Sequence, residues 1–130
     1  GYAYNRKEKK DHGEGGDVVG MSLKGKRVLV VDDVMTTGGS ASEAIGIIRA
    51  HGGIPIGCVI AFDRQERADI GILSAVQEFE NKFRIPVRPV ATVTDLISCM
   101  EKTPEGSKAA QRRKMMIVGR IRTYMEKYGV

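Results

Sequence analysis

Asp32 and Asp33 stand side by side at the end of the apolar run Val28-Leu-Val-Val31, and Thr36-Thr-Gly-Gly-Ser40 follows within a few residues. Each part of this stretch has a separate chemical use. The backbone N–H groups of Thr36, Thr37, Gly38, Gly39 and Ser40, with the positive end of a helix starting there, form a nest for a phosphate, and the Thr and Ser hydroxyls add donors. Two carboxylates beside such a nest repel a bare anion, so they suit a ligand that also carries hydroxyls or a metal. A ribose 5-phosphate meets both demands. Asp32 and Asp33 accept hydrogen bonds from its 2- and 3-hydroxyls while the turn holds its phosphate. The commoner phosphate motifs do not occur here: GxxxxGK[ST] needs a lysine that this turn lacks, and Gly13, Gly15 and Gly16 do not make a GxGxxG. A plain strand-to-helix loop would account for the turn but not for the paired acids.

Two further segments carry groups suited to anions. Asn5-Arg-Lys-Glu-Lys-Lys-Asp-His-Gly-Glu-Gly-Gly16 places cations ahead of glycine hinges, and Asp63-Arg-Gln-Glu-Arg67 follows a second apolar run. The planar fork of Arg64 pairs bidentately with a carboxylate. Taken alone, the first segment also reads as a solvated basic arm and the second as a surface salt-bridge cluster.

The elements that must position these residues alternate in type. Arg27 to Val31 reads as a β-branched strand covered on both faces in a parallel sheet, closed by Asp32 and Asp33. Ala41, Ala44, Ile45 and Ile48 recur at helical spacing, and Gly52-Gly53 supplies a stop. Gly57 to Phe62 is a second buried strand, Asp63 to Asp69 a polar loop, and Ile72, Val76, Phe79 and Phe83 line a helix face. Pro86 and Pro89 mark Val87 to Val93 as a strand near a sheet edge, since proline cannot donate to the ladder. Thr94 is the expected N-cap of a short helix through Met100, and Pro104 to Lys108 a linker. A last helix carries the stripe Ile117, Ile121, Tyr124 and Tyr128, with both tyrosines expected as packing residues. Gly1 to Gly20, glycine-rich and basic with little apolar periodicity, reads as a mobile loop. The fold class is therefore α/β, an open parallel sheet flanked by helices and joined by right-handed crossovers.

With 130 residues, a 42% hydrophobic fraction and 28% charged residues, the chain holds one core and is neither collagen-like nor wholly disordered. No apolar run reaches membrane-spanning length and no signal-like segment opens the chain, so a cytoplasmic protein with no membrane partner is expected. Cys58 and Cys99 belong to no ligand cluster and read as buried or incidental thiols. The net charge of +5 would suit nucleic acid, but Lys108, Arg112, Arg113, Lys114, Arg120, Arg122 and Lys127 place most of the excess on one helix face. A solvated face explains them, and no nucleic-acid partner is expected.

The strand, paired acids and Thr/Gly/Ser turn resemble the signature of the phosphoribosyltransferases that use phosphoribosyl pyrophosphate. The segment from Asn5 to Gly16 is similar to the flexible catalytic loop of orotate phosphoribosyltransferases, and Asp63 to Arg67 to their base-binding loop, in matching order and spacing. The resemblance runs over essentially the whole chain. It implies transfer of ribose 5-phosphate from phosphoribosyl pyrophosphate to orotate, giving orotidine 5-phosphate and pyrophosphate with Mg2+ in pyrimidine biosynthesis. It implies that Arg6, Lys7, Lys10 and His12 close over pyrophosphate, often from the neighbouring subunit of a homodimer, with Lys10, Asp32 and Asp33 catalytic and Arg64 on the orotate carboxylate. Gly39 stands where many of these enzymes carry Thr, while related phosphoribosyltransferases use Gly-Gly-Ser. Mg2+ is expected to ride on pyrophosphate oxygens and ribose hydroxyls with no dedicated protein ligands.

Other classes fit less well. A receiver domain shares the strand with acidic pair and would use Asp63 as phosphoacceptor, but it needs a lysine after its last core strand, and Thr92 to Met100 has none. A non-catalytic regulator of the same fold has no use for the loop from Asn5 to Gly16. Three strands make a thin sheet, as expected of a fragment, and the resemblance implies that the chain is the C-terminal part of one phosphoribosyltransferase domain, with residues 1–20 the catalytic loop and 21–130 the α/β core and last helix.

Overall fold

The computed structural model describes residues 1–5, 18–68 and 71–130. Its centre is a parallel sheet. To keep one numbering in chain order, β1 is Ala3–Asn5, β2 Val18–Gly20, β3 Arg27–Val34, α1 Gly39–Ala50, β4 Ile54–Asp63, α2 Ala75–Phe83, β5 Val87–Thr92, α3 Val93–Lys102 and α4 Lys108–Tyr128. Strands β3, β4 and β5 lie in that order, each pair parallel. Two crossovers of the same hand stepping in the same direction put both connecting helices on one side of the sheet. The core bears this out: Val30, Cys58, Ile60 and Val87 from the strands meet Ile45 and Ile48 of α1 and Val76 and Phe79 of α2. Ile45 and Ile60 are fully buried there.

Among the described residues helices cover only one face of the sheet, whereas cover on both faces of β3 was expected. Leu29 is 50% exposed and Val31 75%, and Val90 on β5 is 76% exposed. The run Val28-Leu-Val-Val31 looks uniform because all its side chains are apolar, yet only Val28 and Val30 face the helices. As expected, β5 is an edge strand.

Other boundaries move for identifiable reasons. Residues 1–20 are not all loop: β1 and β2 pair antiparallel, with Ala3 opposite Gly20 and Asn5 opposite Val18. Strand β3 continues through Asp32 and Asp33 to Val34, opposite Phe62 of β4. Ile72 is outside α2 and 87% exposed, because Ser74 stops the helix with a reciprocal cap: its hydroxyl accepts from the Gln77 N–H (3.1 Å), and the Gln77 side chain accepts from the Ser74 N–H (2.9 Å). The cap of α3 is Thr92 and not Thr94, since Asp95 stands three residues after Thr92 and completes the same reciprocal arrangement. The stop after α1 is as expected, with Gly52 and Gly53 N–H groups donating to Arg49 and Ile48 carbonyls at 3.0 and 2.8 Å.

Helix α4 departs most from its stripe. Only Val118 is buried, Ile117 is partly exposed, and Tyr124 and Tyr128 are 46% and 43% exposed, so the tyrosines are not core residues. Arg122 pairs with Glu101 at 2.7 Å, and Lys114 reaches Glu105 at 3.9 Å and the Thr103 carbonyl. These contacts tie α4 to α3 and its following loop, and they take part of the helix's positive charge. Cys58 is buried, whereas Cys99 is exposed on α3.

Thr92→Ala should lower unfolding stability by about 1 kcal/mol through loss of the α3 cap, measured by denaturant titration. Its hydrogen bonds from Thr92 hold the Asp95 carboxyl below its ordinary pKa. A lowered folded-state pKa adds stability above the unfolded value, and that increment is lost as pH falls through the folded one. The Thr92→Ala penalty should therefore shrink in acid.

Candidate functional site

The carboxyl end of β3 and the amino end of α1 are one continuous piece of chain. Asp32 Oδ1 accepts from the Asp33 N–H at 2.9 Å, and Asp33 Oδ1 from the Val34 N–H at 2.6 Å. These short-range bonds hold each carboxylate against its own backbone and leave further lone pairs on both. Asp32 is partly buried on the helix side of the sheet and Asp33 exposed on the other. The Asp32 charge reaches Cys58 on the neighbouring strand, whose thiol is pushed up mainly by burial and further by that carboxylate.

Met35 is buried and anchors the turn, after which Thr36 and Thr37 are exposed. Gly38 adopts the left-handed conformation at φ 71 and serves as the α1 N-cap without any side-chain hydrogen bond. By contrast, hydroxyls of Ser74, Thr92 and Ser107 cap α2, α3 and α4. Gly39 and Ser40 form the first turn of α1, which carries no acid. An uncapped helix start with no acidic side chain leaves its orphan N–H groups and its positive end for an anion. A Cβ at Gly38 would also crowd α2, lying 3.3 Å from Phe79 Cδ2.

Arg64 begins the loop after β4. It sits with Thr36, Thr37 and Met35 in one cleft of about 140 Å³, whose remaining walls are Asp63, Gln65 to Ala68 and Ala75. The structure thus brings the predicted carboxylate-binding arginine to the two threonines of the phosphate turn. It does not place Asp32, Asp33, Gly38, Gly39 or Ser40 in the lining of that cleft; they border it through the chain. A larger cavity of about 600 Å³ lies between the β1–β2 ribbon, β3 and α1, and none of the predicted site residues lines it. Size alone would select a place away from the predicted residues. Arg6, Lys7, Lys10 and His12 lie outside the described residues. Among the described residues no group of three or more His, Cys, Asp or Glu side chains forms a metal-binding cluster, and no helix is long and apolar enough to cross a membrane.

Sequence reasoning missed the partners of the loop after β4. Glu66 receives both Arg64, at 2.9 Å, and the Tyr124 hydroxyl, at 3.1 Å. The contact spans 58 positions in sequence, and no local pattern signals it.

Gly38→Ala should destabilise the protein by about 1–2 kcal/mol because of the left-handed backbone, with weaker phosphate binding. Gly39→Ala should be mild, since its added Cβ meets only Thr37 Oγ1, at 3.5 Å. Denaturant midpoints and phosphate titrations of the two variants check this; equal behaviour would remove the special role of Gly38.

The phosphoribosyl transferase domain family matches residues 1–85. Orotate phosphoribosyltransferase of Neisseria meningitidis is 46% identical over 129 residues, covering 99% of this chain and 56% of the relative. That of Chromobacterium violaceum is 48% identical over the same shares. Among solved structures, orotate phosphoribosyltransferase of Francisella tularensis aligns with a TM-score of 0.76 at 28% identity, over 99% of this chain and 56% of that one. The Mycobacterium tuberculosis enzyme in complex with 5-phospho-alpha-D-ribosyl 1-diphosphate aligns with a TM-score of 0.52 at 31% identity, over 62% of this chain and 43% of that one. The chain spans 56% of the length of the curated relatives it matches. With strand, paired acids and uncapped helix start all inside the matched segment, the chain belongs to the phosphoribosyltransferase family.

Proposed function

We propose that the protein containing this chain is an orotate phosphoribosyltransferase of pyrimidine biosynthesis, acting in the cytoplasm as a homodimer. The observation that carries this reading is the cleft shared by Thr36, Thr37 and Arg64, which sets an arginine fork beside a phosphate turn. In the reaction the bond from ribose C1 to pyrophosphate breaks, pyrophosphate leaves with the electron pair, and C1 bonds to N1 of orotate, whose N–H proton is released. The turn from Thr36 to Ser40 holds the 5-phosphate. Asp32 and Asp33 accept from the ribose hydroxyls and oppose the positive charge that develops on the sugar. Arg64 orients orotate through its carboxylate, and the relatives' names supply orotate as the base.

Mg2+ fits this chain as a companion of the pyrophosphate. Asp32 and Asp33 precede the turn by a few residues in the chain, and two acids alone make a poor cage for an ion that keeps several waters. The metal's contribution would be to neutralise the leaving group. Arg6, Lys7, Lys10 and His12 are proposed to dock over the pyrophosphate late in the reaction, from either the same or the partner subunit. Residues 1–130 are read as the C-terminal part of one domain.

Pyrophosphate release on adding orotate to the full-length protein with phosphoribosyl pyrophosphate and Mg2+ tests the activity; equal turnover of hypoxanthine or uracil would sink the orotate assignment. Asp32→Asn with Asp33→Asn should lower kcat by on the order of tenfold or more while unfolding stays native-like. Lys10→Ala should lower kcat more than it raises KM, the mark of a group that acts on the transition state; steady-state kinetics with each substrate varied would show it.

A further inference from the structure

The loop carrying Arg64 is tied down at each of its next three residues. Gln65 sits in the left-handed region at φ 53, an uncommon place for a residue with a side chain. Its N–H donates to Asp63 Oδ1 (2.8 Å), its Oε1 accepts from the Thr94 N–H (3.1 Å) and hydroxyl (2.6 Å), and its carbonyl accepts from the Val130 N–H (3.1 Å). Arg67 donates its N–H to the Tyr128 carbonyl and its Nε to the Gly129 carbonyl, each at 2.8 Å. Glu66 lies opposite Gly129 in an antiparallel bridge, accepts from the Tyr124 hydroxyl at 3.1 Å, and holds Arg64 Nη2 at 2.9 Å. Strained backbone at Gln65 persists because the surroundings over-determine it.

Two features separate this from ordinary packing of a helix end. Tyr124 and Tyr128 meet at 4.7 Å between ring centres, tilted by 41°, but remain almost half exposed, so Tyr124 is not a core residue. Its hydroxyl is nevertheless committed to Glu66, which pushes the phenol above its ordinary pKa. At Gly129, any Cβ would lie 2.5 Å from the Met125 carbonyl oxygen and 2.6 Å from Met125 Cε. Only glycine lets the backbone pass there and still pair with Glu66 and Arg67.

We infer that Tyr124 and Gly129 are positioning residues for base recognition, acting through Glu66 on the guanidinium of Arg64; this rests on the reading that Arg64 receives the carboxylate of the base. Bidentate pairing needs the fork to be aligned in advance, since an unrestrained arginine loses side-chain entropy on binding. The Tyr124 hydroxyl does two things in the same direction. It fixes the carboxylate that fixes the fork, and it draws charge from Glu66, which otherwise competes with the incoming anion for Arg64.

Tyr124→Phe in the full-length protein removes one oxygen and keeps the ring contact. KM for orotate should rise about three- to tenfold, the effect of one ordinary hydrogen bond, while KM for phosphoribosyl pyrophosphate and the melting temperature stay unchanged. Gly129→Ala should raise KM for orotate in the same selective way, with a lowered melting temperature because its Cβ would lie 2.5 Å from the Met125 carbonyl oxygen. Arg64→Ala should raise orotate KM further, and adding Tyr124→Phe to it should cost nothing more, because Tyr124 acts through Arg64. The inference is overturned if Tyr124→Phe leaves orotate KM unchanged, shifts both KM values together, or adds fully to Arg64→Ala. A wild-type protein with no preference for orotate would overturn the functional reading and this role with it. Normal wild-type turnover with an unaltered Tyr124→Phe would overturn this role alone.

Discussion

Burial of α1 against β3 and β4 is the contact on which the site depends. Ile45 and Ile48 rest among Val30, Cys58 and Ile60, so the helix cannot shift along the strand without opening a void in a dry core. That packing fixes where α1 begins relative to where β3 ends. The paired acids and the uncapped helix start are the two ends of one short turn, and their separation is set by apolar side chains that never meet a ligand. Phe79 of α2 then closes over Gly38, and α2 holds β5 through Glu80, whose carboxylate accepts from the Val87 N–H at 2.7 Å.

The parts of this arrangement legible in the sequence were those with a local cause. Val28 to Val31 is β-branched and apolar over a strand's length, Ile45 and Ile48 repeat at helical spacing, and Thr36 to Ser40 carries its own turn chemistry. Where the sequence misled, the cause was non-local or a matter of competition. The alternation of Val28 and Val30 with Leu29 and Val31 is invisible when every residue is apolar, so the bare face of β3 could not be told from a covered one. Thr92 and Thr94 are both plausible caps, and the choice turned on Asp95 standing three residues after the first. Ile72 fits a helical period but falls before Ser74, whose cap ends the helix there. For β1 and β2, three-residue strands separated by a glycine-rich basic stretch leave no periodicity to read.

The site divides in the same way. The end proposed for phosphate is written in consecutive residues and can be recognised from them. The end proposed for the base depends on contacts between Glu66 and Tyr124 and between Arg67 and Gly129, which join a loop near the middle of the chain to the end of α4. Such contacts leave each residue looking ordinary on its own: a glutamate in a charged cluster, a tyrosine on an amphipathic helix, a glycine after it. The turn from Thr36 to Ser40 and the loop from Asp63 to Arg67 share no hydrogen bond among those the structure shows, so a substitution in one need not disturb the other.

Cys58 lies one strand over from Asp32, in the same layer of the core that holds α1 in place. Burial and that carboxylate both disfavour its thiolate, and the thiolate is the reactive form. Cys99, exposed on α3, has no such shelter. The two thiols therefore report on different things: alkylation at Cys99 counts folded and unfolded molecules alike, whereas alkylation at Cys58 counts only those in which the core around it has opened. The chain thus carries a built-in clock for the opening of its core, with its own internal standard for labelling.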